Sequence, residues 1–180
     1  MIDRHNAGRA GLGGLLLCVA LGAAVRLPFL LDSLSIPVDG DTAIIGLMAR
    51  HRVWSGTMWG QPYGSPVESW LALPFVELLG TTRLALRLFY FTLSVALVPL
   101  AWALARALDR RAGLPAAALL ACPPAVLLTY AALPPPLYPT VILLVGSLLL
   151  AAMAAARALP EPGGRHLIPL AVWTALSALA

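Results

Sequence analysis

The residues in this sequence that are best suited to chemistry form a short acidic turn, Asp39-Gly40-Asp41. Two carboxylates at this spacing can supply a general base, bind a divalent cation, or cap and solvate the helix that follows them. Asp41 is well placed as the N-cap of that helix, because its carboxylate can accept hydrogen bonds from backbone N–H groups of the first turn. The residue types alone leave all three uses open.

The acidic turn belongs to a polar, glycine- and proline-rich segment that runs from Ser33 to about Thr82 and interrupts an otherwise apolar chain. After the turn, apolar residues recur at helical spacing and predict a short amphipathic helix at the membrane surface, which Ser55-Gly56 ends. These apolar residues are Ile44, Ile45, Leu47, Met48 and Trp54. Any chemistry that the chain performs is expected in this segment.

A second helix is predicted further along the same segment. Ser65 and Glu68 have the spacing of a capping box, with Pro66 at the first helical position, and Gly80 is a suitable C-terminal stop. The pattern predicts a helix from Pro66 to Leu79, in which Glu68 acts as the reciprocal cap. Its apolar residues form a second stripe, namely Val67, Trp70, Leu71, Pro74, Phe75 and Leu78.

An aromatic turn, Trp59-Gly60-Gln61-Pro62-Tyr63-Gly64, joins the two predicted helices. Trp and Tyr commonly lie at the boundary between membrane and water. Their rings can also stack against a sugar or an isoprenoid. Tyr63 is therefore a candidate substrate contact as well as a candidate interfacial residue.

The composition is that of an integral membrane protein. Apolar residues make up 60% of the chain and charged residues 11%, and the mean hydropathy is +0.86, whereas a soluble domain has roughly 45–50% apolar and about 25% charged residues. All twelve basic residues are arginines that lie near the ends of apolar segments, so the net charge of +4 indicates membrane topology rather than nucleic-acid binding. The cysteines, Cys18 and Cys122, lie in apolar segments and are interpreted as small buried hydrophobic residues rather than a disulfide or metal pair.

The sequence predicts an all-α membrane protein with about five transmembrane helices, because a span needs roughly 20 mostly apolar residues. The two amphipathic juxtamembrane helices lie in the first external loop, 32–83. The expected spans are 12–31, 84–108, 114–133, 137–156 and 167–180. Pro123-Pro124 should kink or break the third span. The fifth is short for a crossing, so the chain is expected to be part of a longer protein.

The distribution of arginine predicts the orientation of the spans. Residues 1–11 and the connections after the second and fourth spans carry arginine, and the positive-inside rule places these regions in the cytoplasm. The acidic segment then faces outward, as does the turn that contains Tyr138. The first apolar segment is longer than a signal peptide core, which favours an uncleaved span in a cell inner (plasma) membrane.

Five short motifs occur along the first half of the chain in a fixed order. They are Arg26-Leu27-Pro28, Asp39-Gly40-Asp41-Thr42-Ala43, Gly46-Leu47-Met48-Ala49, Trp59-Gly60-Gln61-Pro62-Tyr63-Gly64 and Glu68-Ser69-Trp70-Leu71-Ala72. Their order and spacing resemble the N-terminal portion of the GT-C superfamily of membrane glycosyltransferases. The likeness is to the group related to protein O-mannosyltransferases and aminoarabinose transferases (glycosyltransferase family 39-like), and it covers about residues 26 to 158.

The resemblance implies that Asp41 is the catalytic base. The base would deprotonate an acceptor, which then attacks the anomeric carbon of a polyprenyl-phosphate sugar at the external face. Arg26 and Arg87 are the candidate partners of the leaving phosphate, although snorkelling to the interface also explains their positions. The family often has Asp-Glu where this chain has Asp41-Thr42, which puts a divalent metal in doubt, and Asp39 is the residue that could compensate.

Glu68 and Tyr63 complete the set of candidate substrate contacts. The expected partners are the lipid bilayer, the polyprenyl-phosphate sugar donor and the missing C-terminal portion, with no nucleic acid. The alternative class is a non-enzymatic polytopic membrane protein, such as a subunit, a carrier or a degenerate fragment.

Overall fold

A computed structural model describes residues 4–53, 55–60, 66–132 and 138–158 of the chain. Within these ranges the secondary structure consists of seven α-helices, and no strand occurs. The helices are α1 (Arg4–Ser33), α2 (Gly40–Arg50), α3 (Val67–Leu79), α4 (Arg83–Leu108), α5 (Gly113–Ala121), α6 (Ala125–Ala132) and α7 (Tyr138–Ala158). The prediction of an all-α protein is confirmed for the described residues.

Three of these helices contain a stretch that is long and apolar enough to cross a membrane. The stretches are Gly11–Ser33 in α1, Arg83–Leu108 in α4 and Pro139–Arg157 in α7. They correspond to the first, second and fourth expected spans. This finding supports membrane residence for the chain.

The third expected span, 114–133, is divided into two short helices. Its residues form α5 and α6, which have 9 and 8 residues and are therefore each too short to cross a bilayer. The break contains Pro123-Pro124, as predicted, because proline lacks the N–H that a continuing helix needs. The fifth expected span, 167–180, lies outside the described residues.

The chain divides into two compact units, and one of them comprises residues 23–95 and 123–140. Its hydrophobic core is built by α2, α3 and the first part of α4. Core residues from these helices include Ile45, Met48, Ala49, Ala72, Val76, Leu86, Phe89 and Tyr90. The apolar face of α2 therefore packs against protein, which differs from the sequence interpretation of this face as a membrane contact.

The start of α2 differs from the prediction by two residues. Asp39, not Asp41, is the N-cap: its backbone is extended, and its carboxylate accepts a hydrogen bond from the backbone N–H of Thr42. The hydroxyl of Thr42 donates to the second oxygen of the same carboxylate, at 2.7 Å. Asp41 lies in the first turn, where a negative charge is favourable because the helix N-terminus carries partial positive charge.

The end of α2 also comes earlier than predicted. The helix ends at Arg50 with His51 as C-cap, rather than at Ser55-Gly56. Arg52 adopts a left-handed conformation, with φ of 51°. The N–H of Arg52 bonds to the carbonyl of Ala49 and that of Val53 bonds to the carbonyl of Met48, which is the pattern of a Schellman motif.

The predicted second loop helix is confirmed with small changes at its start. It begins at Val67, Pro66 occupies the N-cap position, and Gly80 ends it with φ of 70°. Ser65, the predicted partner of Glu68 in the capping box, lies outside the described residues.

The other compact unit comprises residues 1–22, 96–122 and 141–180. Among its described residues, Leu15, Val98 and Ala117 form a small core against which Trp102 packs. The guanidinium group of Arg106 lies 4.9 Å from the centre of the Trp102 ring, a cation–π contact. Both cysteines are free; Cys18 is half-buried, and Cys122 is exposed at the end of α5 rather than buried as expected.

Candidate functional site

A stripe of four polar residues runs along the first half of the mostly apolar helix α4. Its members are Arg83, Arg87, Tyr90 and Ser94, which we call the polar stripe. They follow the i, i+4, i+7, i+11 spacing of one helix face and extend over about 16 Å at 1.5 Å per residue. Together the four members bond to three segments of the 23–95 and 123–140 unit.

The first two members, Arg83 and Arg87, hold the segment that leads into the acidic turn. The guanidinium of Arg83 donates to the carbonyl of Leu34 at 2.5 Å. That of Arg87 donates to the carbonyl of Pro37 at 3.3 Å. Arg87 is 1% exposed, so its charge lies within the protein rather than at the surface. The two arginines therefore fix the backbone just before Asp39.

The third member, Tyr90, bonds to a buried carboxylate. Its hydroxyl donates to Glu68 Oε2 at 3.0 Å, and the hydroxyl of Thr140 on α7 donates to Glu68 Oε1 at 2.6 Å. All three side chains are buried, and Glu68 is 0% exposed. Burying a carboxylate is unfavourable unless donors satisfy it, and the two hydroxyls supply such donors. Glu68 thereby connects α3 to both α4 and α7.

The fourth member, Ser94, accepts a hydrogen bond from the Nε of Arg26 at 2.9 Å. Arg26 lies on α1 and is 2% exposed. Because Arg26 is buried against α4, snorkelling to the membrane surface does not describe its position. An ionisable residue inside a membrane span is a functional candidate by default.

The acidic turn is electrostatically linked to the polar stripe. Partial burial by itself would raise the pKa of Asp39. The hydrogen bonds from Thr42 and from its own backbone, together with the charge of Arg87, outweigh that effect and hold the pKa below its usual value. Asp39 is thus a fixed carboxylate at the cap, whereas Asp41 lies half-exposed one residue inside the helix.

The structure gathers most of the predicted site residues into one compact unit. Asp39, Asp41, Glu68, Arg26 and Arg87 all belong to residues 23–95. Arg87 of α4 bonds to the backbone before the acidic turn, and Tyr90 of α4 bonds to Glu68. One face of α4 therefore holds both groups. Tyr63 lies outside the described residues, and Tyr138 begins α7 but its side chain is not described.

Five residues that form these bonds were not among the predicted site residues. They are Thr42, Arg83, Tyr90, Ser94 and Thr140. Tyr90 and Ser94 could have been found, because they continue the helical spacing that Arg83 and Arg87 begin. Thr140 could not, because no local pattern links it to a carboxylate 72 residues earlier in the chain.

A cleft of about 450 Å³ lies at the C-terminal ends of α2 and α3. It is lined by Arg50, Arg52 and Glu77 among others, and does not include the acidic turn or the polar stripe. We place the candidate site at the acidic turn and the polar stripe rather than at this cleft, because the buried ionisable residues Arg26, Arg87 and Glu68 bond there. Within the described ranges no three His, Cys, Asp or Glu side chains lie together as metal ligands.

No family model, curated protein or solved structure matches this chain significantly.

Proposed function

We propose that this chain forms part of a membrane glycosyltransferase, which transfers a sugar from a polyprenyl-phosphate donor to an acceptor at the external membrane face. The motif resemblance supports this proposal. The observation that carries it is that Arg83 and Arg87 of the polar stripe hold the backbone just before the acidic turn, and that the charge of Arg87 helps to lower the pKa of Asp39. Carboxylates and guanidinium groups in one place can supply a base for the acceptor and positive charge for a leaving phosphate.

The proposed base is Asp41. Both carboxylate oxygens of Asp39 accept hydrogen bonds from Thr42, so Asp39 has a structural task at the cap. Asp41 would take the proton from an acceptor hydroxyl or amine as that group bonds to the anomeric carbon. The bond from the anomeric carbon to the phosphate oxygen would break, and the phosphate would leave with the electron pair. Arg87 and Arg26 are the proposed partners of that phosphate.

The test is transfer of labelled sugar from polyprenyl-phosphate donors by the full-length protein in membranes. We expect Asp41→Asn to lower the transfer rate by about 10²–10⁴-fold, the usual contribution of a general base. Asp32→Asn is the matched control, because Asp32 is an exposed carboxylate at the end of α1. Full activity of Asp41→Asn would contradict the assignment of the base. Absence of transfer by the unmodified protein from every donor tested would contradict the transferase proposal itself.

The cationic part of the proposal has its own control. We expect Arg87→Gln to weaken use of the phosphate donor, whereas Arg106→Gln should not, because Arg106 is an exposed arginine that stacks on Trp102 in the other unit. Equal effects of the two substitutions on donor KM would argue against a phosphate role for Arg87.

We further propose the orientation with a cytoplasmic N-terminus, five spans of which the third is broken at Pro123-Pro124, and the loop that carries α2 and α3 on the outer side. The positive-inside rule supports it. Labelling of a cysteine introduced at Arg110 by an impermeant reagent from outside the cell would overturn this orientation.

A non-enzymatic polytopic membrane protein is the second candidate. Two observations favour it: the carboxylate of Asp39 caps a helix, and that of Glu68 is held by hydroxyls of α4 and α7. Both carboxylates thus have structural uses. The transfer assay separates the two candidates.

A further inference from the structure

Helix α3 is inverted with respect to an ordinary amphipathic helix. Its fully buried residues are Glu68, Ser69, Ala72 and Val76, so two of the four that face the protein core are polar. On the opposite side, Val67, Leu71, Pro74 and Leu78 follow the i, i+4, i+7, i+11 spacing of a single face. We call these four apolar residues the outer stripe.

The outer stripe is exposed on the protein surface. Leu78 is 84% exposed, and Leu71 and Pro74 are also exposed, while Val67 is half-buried. Transferring a leucine side chain from water to an apolar environment is favourable. A helix such as α3, which exposes apolar side chains and buries polar ones, is therefore unfavourable in water. The same arrangement is favourable where the exposed face contacts hydrocarbon.

The connection to α4 limits how far the outer stripe can lie from the membrane. Only residues 80–82 separate α3 from α4, whose span begins at Arg83. Four Cα-to-Cα steps cover at most about 14 Å, and a bond from the N–H of Thr82 to the carbonyl of Gly80 shortens this connection further. Leu84, in the first turn of the span, is itself exposed. The apolar surface of α3 therefore lies next to that of a candidate span.

A hydrogen bond joins the end of α1 to the start of α4 near this connection. Arg83 at the start of α4 bonds to the carbonyl of Leu34, one residue beyond the end of α1. The C-terminal end of α1 and the N-terminal end of α4 therefore lie close to the C-terminal end of α3. The end of α3 nearest the span carries Leu78, the most exposed residue of the outer stripe.

Helix α2 provides a contrast within the same unit. Its apolar residues Ile45 and Met48 face the core, and Arg50 is exposed. Arg52, just beyond α2, forms an exposed ion pair with Glu77 at 2.6 Å. Because Glu77 belongs to α3, these charges mark a water-facing side at the C-terminal ends of both loop helices. The outer stripe of α3 differs from this side because it carries no charge.

We infer that α3 is half-inserted in the leaflet where α4 begins, with its outer stripe in contact with lipid acyl chains and its other face packed on α2 and α4. Trp70 lies beside the stripe and donates from its indole nitrogen to the carbonyl of Val53. An aromatic ring with its polar edge bonded toward the protein suits the membrane boundary. The inference does not depend on the proposed enzymatic function or on which side of the membrane the N-terminus occupies.

The test is the accessibility of single cysteines that carry a nitroxide label, in protein reconstituted into phospholipid vesicles. Cys18 and Cys122 are first replaced by alanine. Leu78→Cys and Leu71→Cys report on the outer stripe, and Arg50→Cys is the control on α2. We expect both stripe positions to relax more with oxygen, which concentrates in lipid, than with a water-soluble nickel chelate, and position 50 to show the reverse.

Two results would overturn the inference. If both stripe positions respond to the nickel chelate as strongly as position 50, the outer stripe faces water. If they respond to neither reagent, a second copy of the chain or another protein segment covers the stripe. Because two stripe positions are labelled separately, misfolding of one variant does not decide the outcome.

Discussion

The bonds to Glu68 should stabilise the fold measurably, and conservative substitutions can test them. Tyr90→Phe removes one hydroxyl donor without changing the ring, and Thr140→Val removes the other at nearly constant volume. Each change leaves one oxygen of a 0% exposed carboxylate without that partner. A hydrogen bond to a charged group contributes about 1.5–3 kcal/mol, and an unsatisfied buried acceptor has a comparable penalty.

We therefore expect each single variant to lower the free energy of unfolding by about 1.5–3 kcal/mol. A value nearer 0.6 kcal/mol is typical of hydrogen bonds between membrane helices, where the unfolded state finds other partners. We favour the larger value, because the acceptor here is a carboxylate and both donors are hydroxyls buried with it. The Thr140 bond, at 2.6 Å, is the shorter of the two.

The measurement is reversible unfolding in mixed detergent micelles, followed by tryptophan fluorescence. Thr92→Val is the matched control: Thr92 is exposed on α4, and its hydroxyl bonds to the carbonyl of Leu88 in its own helix. We expect this variant to change stability by less than about 0.5 kcal/mol. The double variant should depart from additivity, because both bonds share Glu68.

The reasoning would be refuted if Tyr90→Phe and Thr140→Val were both as stable as Thr92→Val. The hydroxyls would then not hold the carboxylate in the folded protein. If instead the effects were large but strictly additive, the two bonds would act independently and Glu68 would not couple α4 to α7.

Two further predictions concern helix α2. The lowered pKa of Asp39 means that its stabilising effect is complete above about pH 3.9, the ordinary pKa of the unfolded chain, and is lost as the pH falls through the lower folded value. Asp39→Asn keeps an N-cap acceptor, so the stability difference from the unmodified protein should stay constant above about pH 3.9 and shrink as the pH falls further. A difference that does not change on acidification below that pH would contradict the assignment. At Arg52, the left-handed backbone is unfavourable for a non-glycine residue by about 1–2 kcal/mol, whereas its exposed ion pair with Glu77 contributes about 0–1 kcal/mol. Both Arg52→Ala and Arg52→Gly lose the ion pair, but only glycine relieves the backbone strain. We therefore expect the glycine variant to be about 1 kcal/mol more stable than the alanine variant in thermal unfolding. Equal stabilities would mean that the backbone is not strained.

Local sequence patterns predicted the helices well where the stop and start residues were unambiguous. Gly80 ends α3 as expected, because glycine accepts a positive φ readily. Pro123-Pro124 divides the third apolar segment for an equally local reason. The long apolar runs of α1, α4 and α7 were recognised by length and composition alone.

The predictions failed where two residues of similar type competed for one position. Asp39 and Asp41 are equally suitable as N-caps by residue type, and the choice depends on Thr42. Its hydroxyl is fully buried and bonds to Asp39, which fixes the register of the first turn. That burial arises from the packing of α2 against the rest of the unit and has no local signature.

The sequence by itself determined that the chain is helical and that it has membrane-length apolar segments. It also pointed to the acidic turn Asp39-Gly40-Asp41 as the candidate site, which stays a proposal. These features follow from residue type and spacing within a few turns of helix. The resemblance to glycosyltransferases has the same origin and stays a proposal.

Only the tertiary structure decided what surrounds those residues. It paired Glu68 with Tyr90 and Thr140, buried Arg26 against Ser94, and assigned the apolar face of α2 to the protein core. Such contacts join residues 22 to 72 positions apart, so they depend on how helices pack rather than on any short pattern. The acidic turn could be found in the sequence, but only the fold showed that Arg83 and Arg87 hold the backbone that precedes it.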